Sequence, residues 1–269
     1  MCRLTGDAYW AIFSDFPAVF KPELRGTNPG AAAIHGVYHH IKTTGPPVHS
    51  RFRRLRPEMF HAAKLTFTEM VVCSKAASPW PSPLHMVWKP NNSWRPCSDY
   101  QRLNLITELD HYPMPNINDL RASKDNALIF SKLDLLKGDF QVPVHPDDVP
   151  MTAIITSFGS YVLHYSTFRL RNSSATFQRM MDQIFGKLPF CVVYVDDILI
   201  FSRNHQEHQQ HVQTILHLLK QNGLVVSPDK CIFGASSIDF LGYKIHRPIK
   251  LTLCSSSLRQ HLSRESSSS

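Results

Sequence analysis

Apolar residues recur along this chain with two spacings, and the switches between them mark its elements. The sharpest pattern is Phe190-Cys191-Val192-Val193-Tyr194-Val195-Asp196-Asp197-Ile198-Leu199-Ile200-Phe201, two β-rich apolar runs around a pair of carboxylates. It predicts a tight hairpin with acids at its tip. Ala127 to Leu135 is a second run of strand length, with Asp134 near its end. Leu84 to Lys89 predicts another strand, Pro90-Asn91-Asn92-Ser93 a polar turn, and Trp94-Arg95-Pro96 the return strand. Helical spacing appears three times. Met59, Phe60, Ala63, Leu65 and Phe67 give an imperfect apolar face from Pro57 to about Met70, with proline suited to the first turn. Ala175, Phe177, Met180, Met181 and Ile184 fit a helix from Ser173 to about Phe185, capped by Ser or Asn. Val212, Ile215, Leu216 and Leu219 fit another from His205 to Gln221, with Gly223 just past its end.

Outside these segments the pattern is weak. Residues 1–57 carry Pro, Gly and isolated aromatics without periodicity, and end in Gly45-Pro46-Pro47 and the basic cluster Arg51, Arg53, Arg54, Arg56. They predict an extended approach segment. Residues 58–246 then form one domain, and residues 247–269 a Ser-rich, disordered tail. The chain has 269 residues, 43% of them hydrophobic, enough for a real core. Its formal charge of +8 makes a polyanionic partner plausible. The six cysteines form no Cys-x-x-Cys pair and have no histidine pair at zinc-ligand spacing beside them, which argues against a structural zinc site. The N-terminus does not read as a signal peptide and no membrane-length apolar stretch occurs, so an intracellular protein, cytoplasmic or nuclear and not secreted, is expected.

Adjacent acids between hydrophobic strands repel unless a cation offsets them. A hard ion such as Mg²⁺ uses one or two carboxylates plus substrate phosphates and water. With Asp134 facing Asp196 and Asp197, two such ions would suit phosphoryl transfer, while a pair of solvated turn acids is the plain alternative.

The surroundings of these acids resemble a known family. Phe130-Ser131-Lys132-Leu133-Asp134-Leu135, Ala175-Thr176-Phe177-Gln178-Arg179, Tyr194 to Ser202 and Phe240-Leu241-Gly242-Tyr243 are similar, in order and spacing, to reverse transcriptases of gypsy-type LTR retrotransposons. So are Trp94 to Tyr100 and the stretch from His35 to Pro47. The resemblance implies an α+β fold: a right-hand polymerase with fingers and palm, an antiparallel palm sheet backed by helices, and the thumb largely missing. It implies a metal triad of Asp134, Asp196 and Asp197, joined by the Leu135 carbonyl, holding two Mg²⁺ ions with Mn²⁺ as a substitute. Lys89 and Arg95 would neutralise the incoming triphosphate; Phe168 and Gln178 would line the nucleotide pocket. Lys230 would assist pyrophosphate departure, with Cys231 at the adjacent candidate position, and Leu241 and Gly242 would belong to the primer grip. The implied partners are an RNA or DNA template with its primer, and dNTPs. Phosphate contacts by the scattered Lys and Arg predict binding that weakens steeply with salt.

Departures from the family keep two readings open. Asp139 stands where relatives place the Tyr or Phe that lies under the deoxyribose, with Phe140 next door as a stand-in. Arg169 replaces a glycine before the Gln178 helix, Ser173-Ser174 replaces Ala-Gly or Ala-Pro, and the chain between Met70 and Ser78 reads a few residues short. An active polymerase domain is one reading; a decayed palm that binds nucleic acid is the other. A ribonuclease H label by descent from a Pol polyprotein is a third, although no residues here supply that site.

Overall fold

Every helix and strand expected from the periodicities forms, and further strands lie between them. The computed structural model describes residues 3–4, 9–21, 33–70, 72–90, 92–115, 127–167, 169–246 and 250–253. In chain order its elements begin with β1 (Arg3–Leu4), α1 (Trp10–Ser14), α2 (Pro57–Glu69), β2 (Cys73–Lys75), β3 (Ser82–Trp88), β4 (Trp94–Ser98) and α3 (Gln101–Ile106). Then come β5 (Ile129–Asp134), β6 (Ile154–Thr156), β7 (Gly159–Leu163), α4 (Ser173–Phe185), β8 (Cys191–Tyr194), β9 (Asp197–Ser202) and α5 (His205–Gln221). The series closes with β10 (Ile232–Ala235), β11 (Ser237–Phe240), β12 (Tyr243–His246) and β13 (Lys250–Leu253). Contacts divide the chain into two units, and the division falls inside α4.

The first unit comprises Met1–Glu23, Pro113–Leu136 and Gln178–Ser269. Its main sheet has the order β1-β10-β5-β9-β8, with β5 antiparallel to both β9 and β10. Side chains alternate across a strand, so Phe130, Lys132, Asp134, Asp197, Leu199 and Phe201 share one face of the β5–β9 pair. Phe130, Leu199 and Phe201 pack there against Ile238, Phe240 and Ile245 of the small antiparallel sheet β11-β12-β13. The opposite face carries Ser131, Leu133, Ile198, Ile200 and Ser202, all buried, and Ser131 and Ser202 bond to α5. Helix α5 buries Val212, Ile215, Leu216 and Leu219, the expected stripe, and Asn204 caps it by accepting the Glu207 N–H.

Two expectations for the chain ends change. Within residues 1–57, α1 and its flanks bury Tyr9, Ile12, Phe13, Phe16 and Val19, and the Phe13 ring lies 4.6 Å from that of Phe233. These aromatics are core residues, hidden from a periodicity argument because the helix has only five residues and its partner strand is far along the chain. At the other end, β13 pairs with β12, so the tail begins with a strand; the Ser-rich runs lie outside the described residues.

The second unit comprises Leu24–Tyr112 and Lys137–Phe177. Its sheet has the order β2-β7-β6-β3-β4, antiparallel except for β3 beside β6. Helix α2 covers it through Ala63 and Phe67, which pack with Leu84, Met86, Ile154, Tyr161 and Leu163. Although the chain between Met70 and Ser78 reads short, β2 forms within it and α2 ends just before it. A second cluster gathers Ile41, Trp80, Tyr100, Leu103, Val144 and Leu170, and the Tyr100 hydroxyl donates to the Thr152 carbonyl at 2.8 Å. Residues 33–50 run along this unit with single bridges, His39 beside Val144 and Thr43 beside Thr107. No helix among the described residues is long and apolar enough to cross a membrane.

Candidate active site

The register of β5 against β9 places Asp134 directly opposite Asp197, at the end of both strands. Tyr194 pairs with Asp197 on the other side, so Val195 and Asp196 form a two-residue turn. A two-residue hairpin loop needs positive φ, and Val195 supplies it at 51°. For a β-branched residue this left-handed conformation costs about 1–2 kcal/mol. Gln178 offsets the strain: fully buried, its side-chain oxygen accepts the Val195 N–H at 2.7 Å and its amide donates to Asp182 at 2.8 Å and to the Val193 carbonyl at 3.2 Å. Its polar atoms thus bond to the hairpin that carries the acids and, within α4, to Asp182.

The chain after Asp134 is equally fixed. Leu135 donates its N–H to the Asp196 carbonyl at 2.9 Å and forms a bridge with Val226, while Ser227 donates to the Asp134 carbonyl at 2.7 Å. Two ammonium groups reach the acids. Lys230 Nζ lies 2.9 and 3.2 Å from the two Asp134 oxygens, and Lys132 Nζ lies 2.8 Å from Asp197 Oδ1. Burial, then repulsion from Asp197 and Asp134, raises the Asp196 pKa, against the opposing pull of its own backbone N–H and of Lys230. The hydrogen bond to Asp134 raises that of Lys230, with the charges of all three carboxylates adding to it against partial desolvation.

Three carboxylates against two ammoniums leave the cluster anionic, and the buried Asp197 Oδ1 has an ion pair but no aligned hydrogen bond. All-oxygen donors with surplus negative charge suit a hard divalent cation of the Mg²⁺ or Mn²⁺ kind. Residues Asp134, Asp196 and Asp197, with the Leu135 carbonyl, are the groups that would hold it. Lys132 was absent from the expected set, yet period-two alternation already places it on the Asp134 face.

The remaining expected residues separate by unit. Leu241 and Gly242 form the two-residue turn between β11 and β12, with φ of 50° and 81°. Positive φ at both central positions is the type I′ pattern, which explains the glycine. Lys89 and Arg95 lie at the β3–β4 hairpin of the second unit, where Lys89 closes the turn to Ser93 and Arg95 is exposed opposite Val87. Asp139 and Phe140 lie in a 3₁₀ turn over Gly138–Gln141, with Phe140 half-buried. Phe168 lies outside the described residues. Arg169 is exposed, its carbonyl accepts from Asn104 at 2.8 Å, and it lines a polar cavity of about 540 Å³ with Arg53, His85 and Asp99.

Comparison with known proteins agrees with this geometry. The family described as "Reverse transcriptase (RNA-dependent DNA polymerase)" matches residues 87–245. The retrovirus-related Pol polyprotein from transposon opus of Drosophila melanogaster is 33% identical over 246 residues, covering 87% of this chain and 24% of that polyprotein. The Pol polyprotein from transposon gypsy of the same fly is 35% identical over 63% of this chain and 17% of its own length. Polyprotein P3 of Commelina yellow mottle virus is 43% identical over 54% of this chain and 8% of its own length. The chain thus spans about a quarter or less of each of these relatives. Among solved structures, the foamy viral protease-reverse transcriptase in complex with RNA/DNA hybrid superposes with a TM-score of 0.81 at 19% identity, over 93% of this chain and 34% of the other. That likeness gives the fold, the fingers and palm of a right-hand polymerase. On the family match and the identity to these polyproteins, the chain belongs to the reverse transcriptase family, as a gypsy-type retroelement domain.

Proposed function

We propose that this chain carries out RNA-directed DNA synthesis, extending a primer 3′-hydroxyl on an RNA or DNA template with dNTPs. The observation that carries the reading is the Asp134–Asp197 register with Asp196 in the adjoining turn. Bound at these acids, a pair of divalent ions supplies activation of the hydroxyl and neutralisation of the departing pyrophosphate. Asp134 and Asp196 hold the oxygens that such ions need, and Gln178 keeps the Asp196 turn in its strained form. Lys230, with its raised pKa, stays protonated and serves as counter-charge or proton source for the leaving group. Lys89 and Arg95 neutralise the triphosphate, and the Leu241-Gly242 turn bears on the primer. The foamy viral relatives in complex with RNA/DNA hybrid and with dsDNA support nucleic acid as the partner, as does the net charge of +8.

A second reading, a palm that binds nucleic acid without polymerising, is favoured by Asp139 in place of an aromatic ring and by Arg169 in place of glycine. Primer extension on poly(rA)-oligo(dT) with Mg²⁺ or Mn²⁺ separates the two. Incorporation that Asp196→Asn lowers by about 10³-fold or more supports the polymerase. Incorporation unchanged by that substitution overturns the assignment. Activity appearing only in the Asp139→Tyr, Arg169→Gly double variant establishes the decayed reading.

A further inference from the structure

We propose that His40, His145 and Asp148 bind a divalent transition-metal ion of the zinc class on the second unit. The backbone brings them together from two distant stretches. His39 donates its N–H to the Pro143 carbonyl at 2.8 Å and accepts that of His145 at 2.9 Å. This parallel bridge sets the His40 and His145 rings side by side, stacked with centroids 4.6 Å apart. Pro146 then opens a 3₁₀ turn over Pro146–Thr152, and the Asp148 N–H donates to the His145 carbonyl at 2.8 Å, which folds the carboxylate back over the rings. Asp148 Oδ2 lies 3.2 Å from His40 Nδ1 and accepts the Ile41 N–H at 3.2 Å, so the carboxylate is anchored through that oxygen.

One ligand atom from each of the three residues lies within 4.8 Å of the others. Zinc bonds of about 2.0–2.2 Å require ligand separations of about 3.4 Å in a tetrahedron, so no edge needs to close by more than about 1.4 Å on binding. The His40 side chain is 53% exposed and that of Asp148 only 16%, so the closure falls mainly to the His40 ring. His145 Nδ1 accepts the Asp147 N–H at 3.4 Å, with Asp147 Oδ2 3.6 Å away, which leaves Nε2 as the ring nitrogen not engaged by the turn. Two imidazoles and one carboxylate select Zn²⁺, Co²⁺, Ni²⁺ or Cu²⁺ over Mg²⁺ and Ca²⁺, which the acidic cluster of the first unit prefers. Three protein ligands leave a fourth position for water. The bound ion clips the segment before Ile41 to the turn after Val144, across 108 residues of chain.

The test is Zn²⁺ and Co²⁺ titration of the full, chelator-stripped chain in excess Mg²⁺, followed by dialysis with metal analysis, by cobalt absorption and by thermal midpoint. One ion per chain with Kd of about 10 µM or tighter is expected, with nitrogen–oxygen ligand bands and a rise in midpoint. His40→Gln and His145→Ala each weaken binding about tenfold or more, and Asp196→Asn leaves it intact. Should His145→Ala fail to fold, the exposed His40→Gln carries the test. No binding, binding unchanged in the histidine variants, binding lost in Asp196→Asn, or a thiolate-to-cobalt band each overturns the proposal.

Discussion

Val195 holds φ at 51° in the turn that presents Asp196, and the strain persists because Gln178 engages the turn through both ends of its amide. Gln178→Leu leaves the buried Val193 carbonyl and the Val195 N–H without partners, so it costs about 2–4 kcal/mol in urea unfolding and lowers primer extension in step. A variant as stable as the parent contradicts the clamp. Lys132 works on charge: its ammonium partly neutralises Asp197 at 2.8 Å, with both side chains about a fifth exposed. Lys132→Met removes that competitor and tightens Mn²⁺ binding about threefold to tenfold by calorimetry, discounted for solvent screening. Weaker or unchanged binding shows that Lys132 does not compete with the metal. The three acids were legible because carboxylates inside apolar strands have few structural excuses. Gln178 was not, since a glutamine on an amphipathic helix carries no sign of being buried until its partners 15 and 17 residues away are placed.

At the scale of elements, α5 is tied to the strands that carry Asp134 and Asp197 by a buried polar chain. His208 bonds to Ser131 at 2.6 Å and to Ser202 at 2.7 Å, and His211 shares Ser202 at 2.8 Å while stacking on Phe190. Both serines sit on the α5-facing side of the sheet, between the acids' strands and the helix. Burial, with the charges of His211 and His205, lowers the His208 pKa to about 3. The folded state thus holds His208 neutral, while the unfolded chain takes up a proton below its ordinary value of about 6.5. The stability this contributes is complete above about pH 6.5 and is lost as pH falls toward 3, on the order of 3 kcal/mol by pH 4. Urea midpoints measured between pH 7.5 and pH 4 should fall steeply for the parent and less for His208→Gln; parallel profiles contradict the assignment. The spacing of Val212, Ile215, Leu216 and Leu219 made α5 readable from sequence. Strands β6, β7 and β10 were not, being short; β6 and β7 pair with each other, and all three pair with strands far away in the chain. The α1 aromatics were hidden for the same reason, as was the nearness of His40 to His145, 105 positions apart.

For the molecule as a whole, family and fold were readable because the motifs occur in order from the β3–β4 hairpin to the β11–β12 turn, and family match and superposition agree with them. The division into two units was not, because it interrupts a continuous helix, α4, whose periodicity gives no warning of it. The formal charge of +8 and the anionic cluster at Asp134, Asp196 and Asp197 are opposite in sign, and the proposed function assigns the first to a nucleic acid and the second to divalent cations. The most direct test is a manganese anomalous difference map from crystals of the chain grown with Mn²⁺. The account predicts a peak coordinated by carboxylate oxygens of both Asp134 and Asp196, abolished in Asp196→Asn. Manganese bound elsewhere, with none touching that pair of side chains, contradicts it.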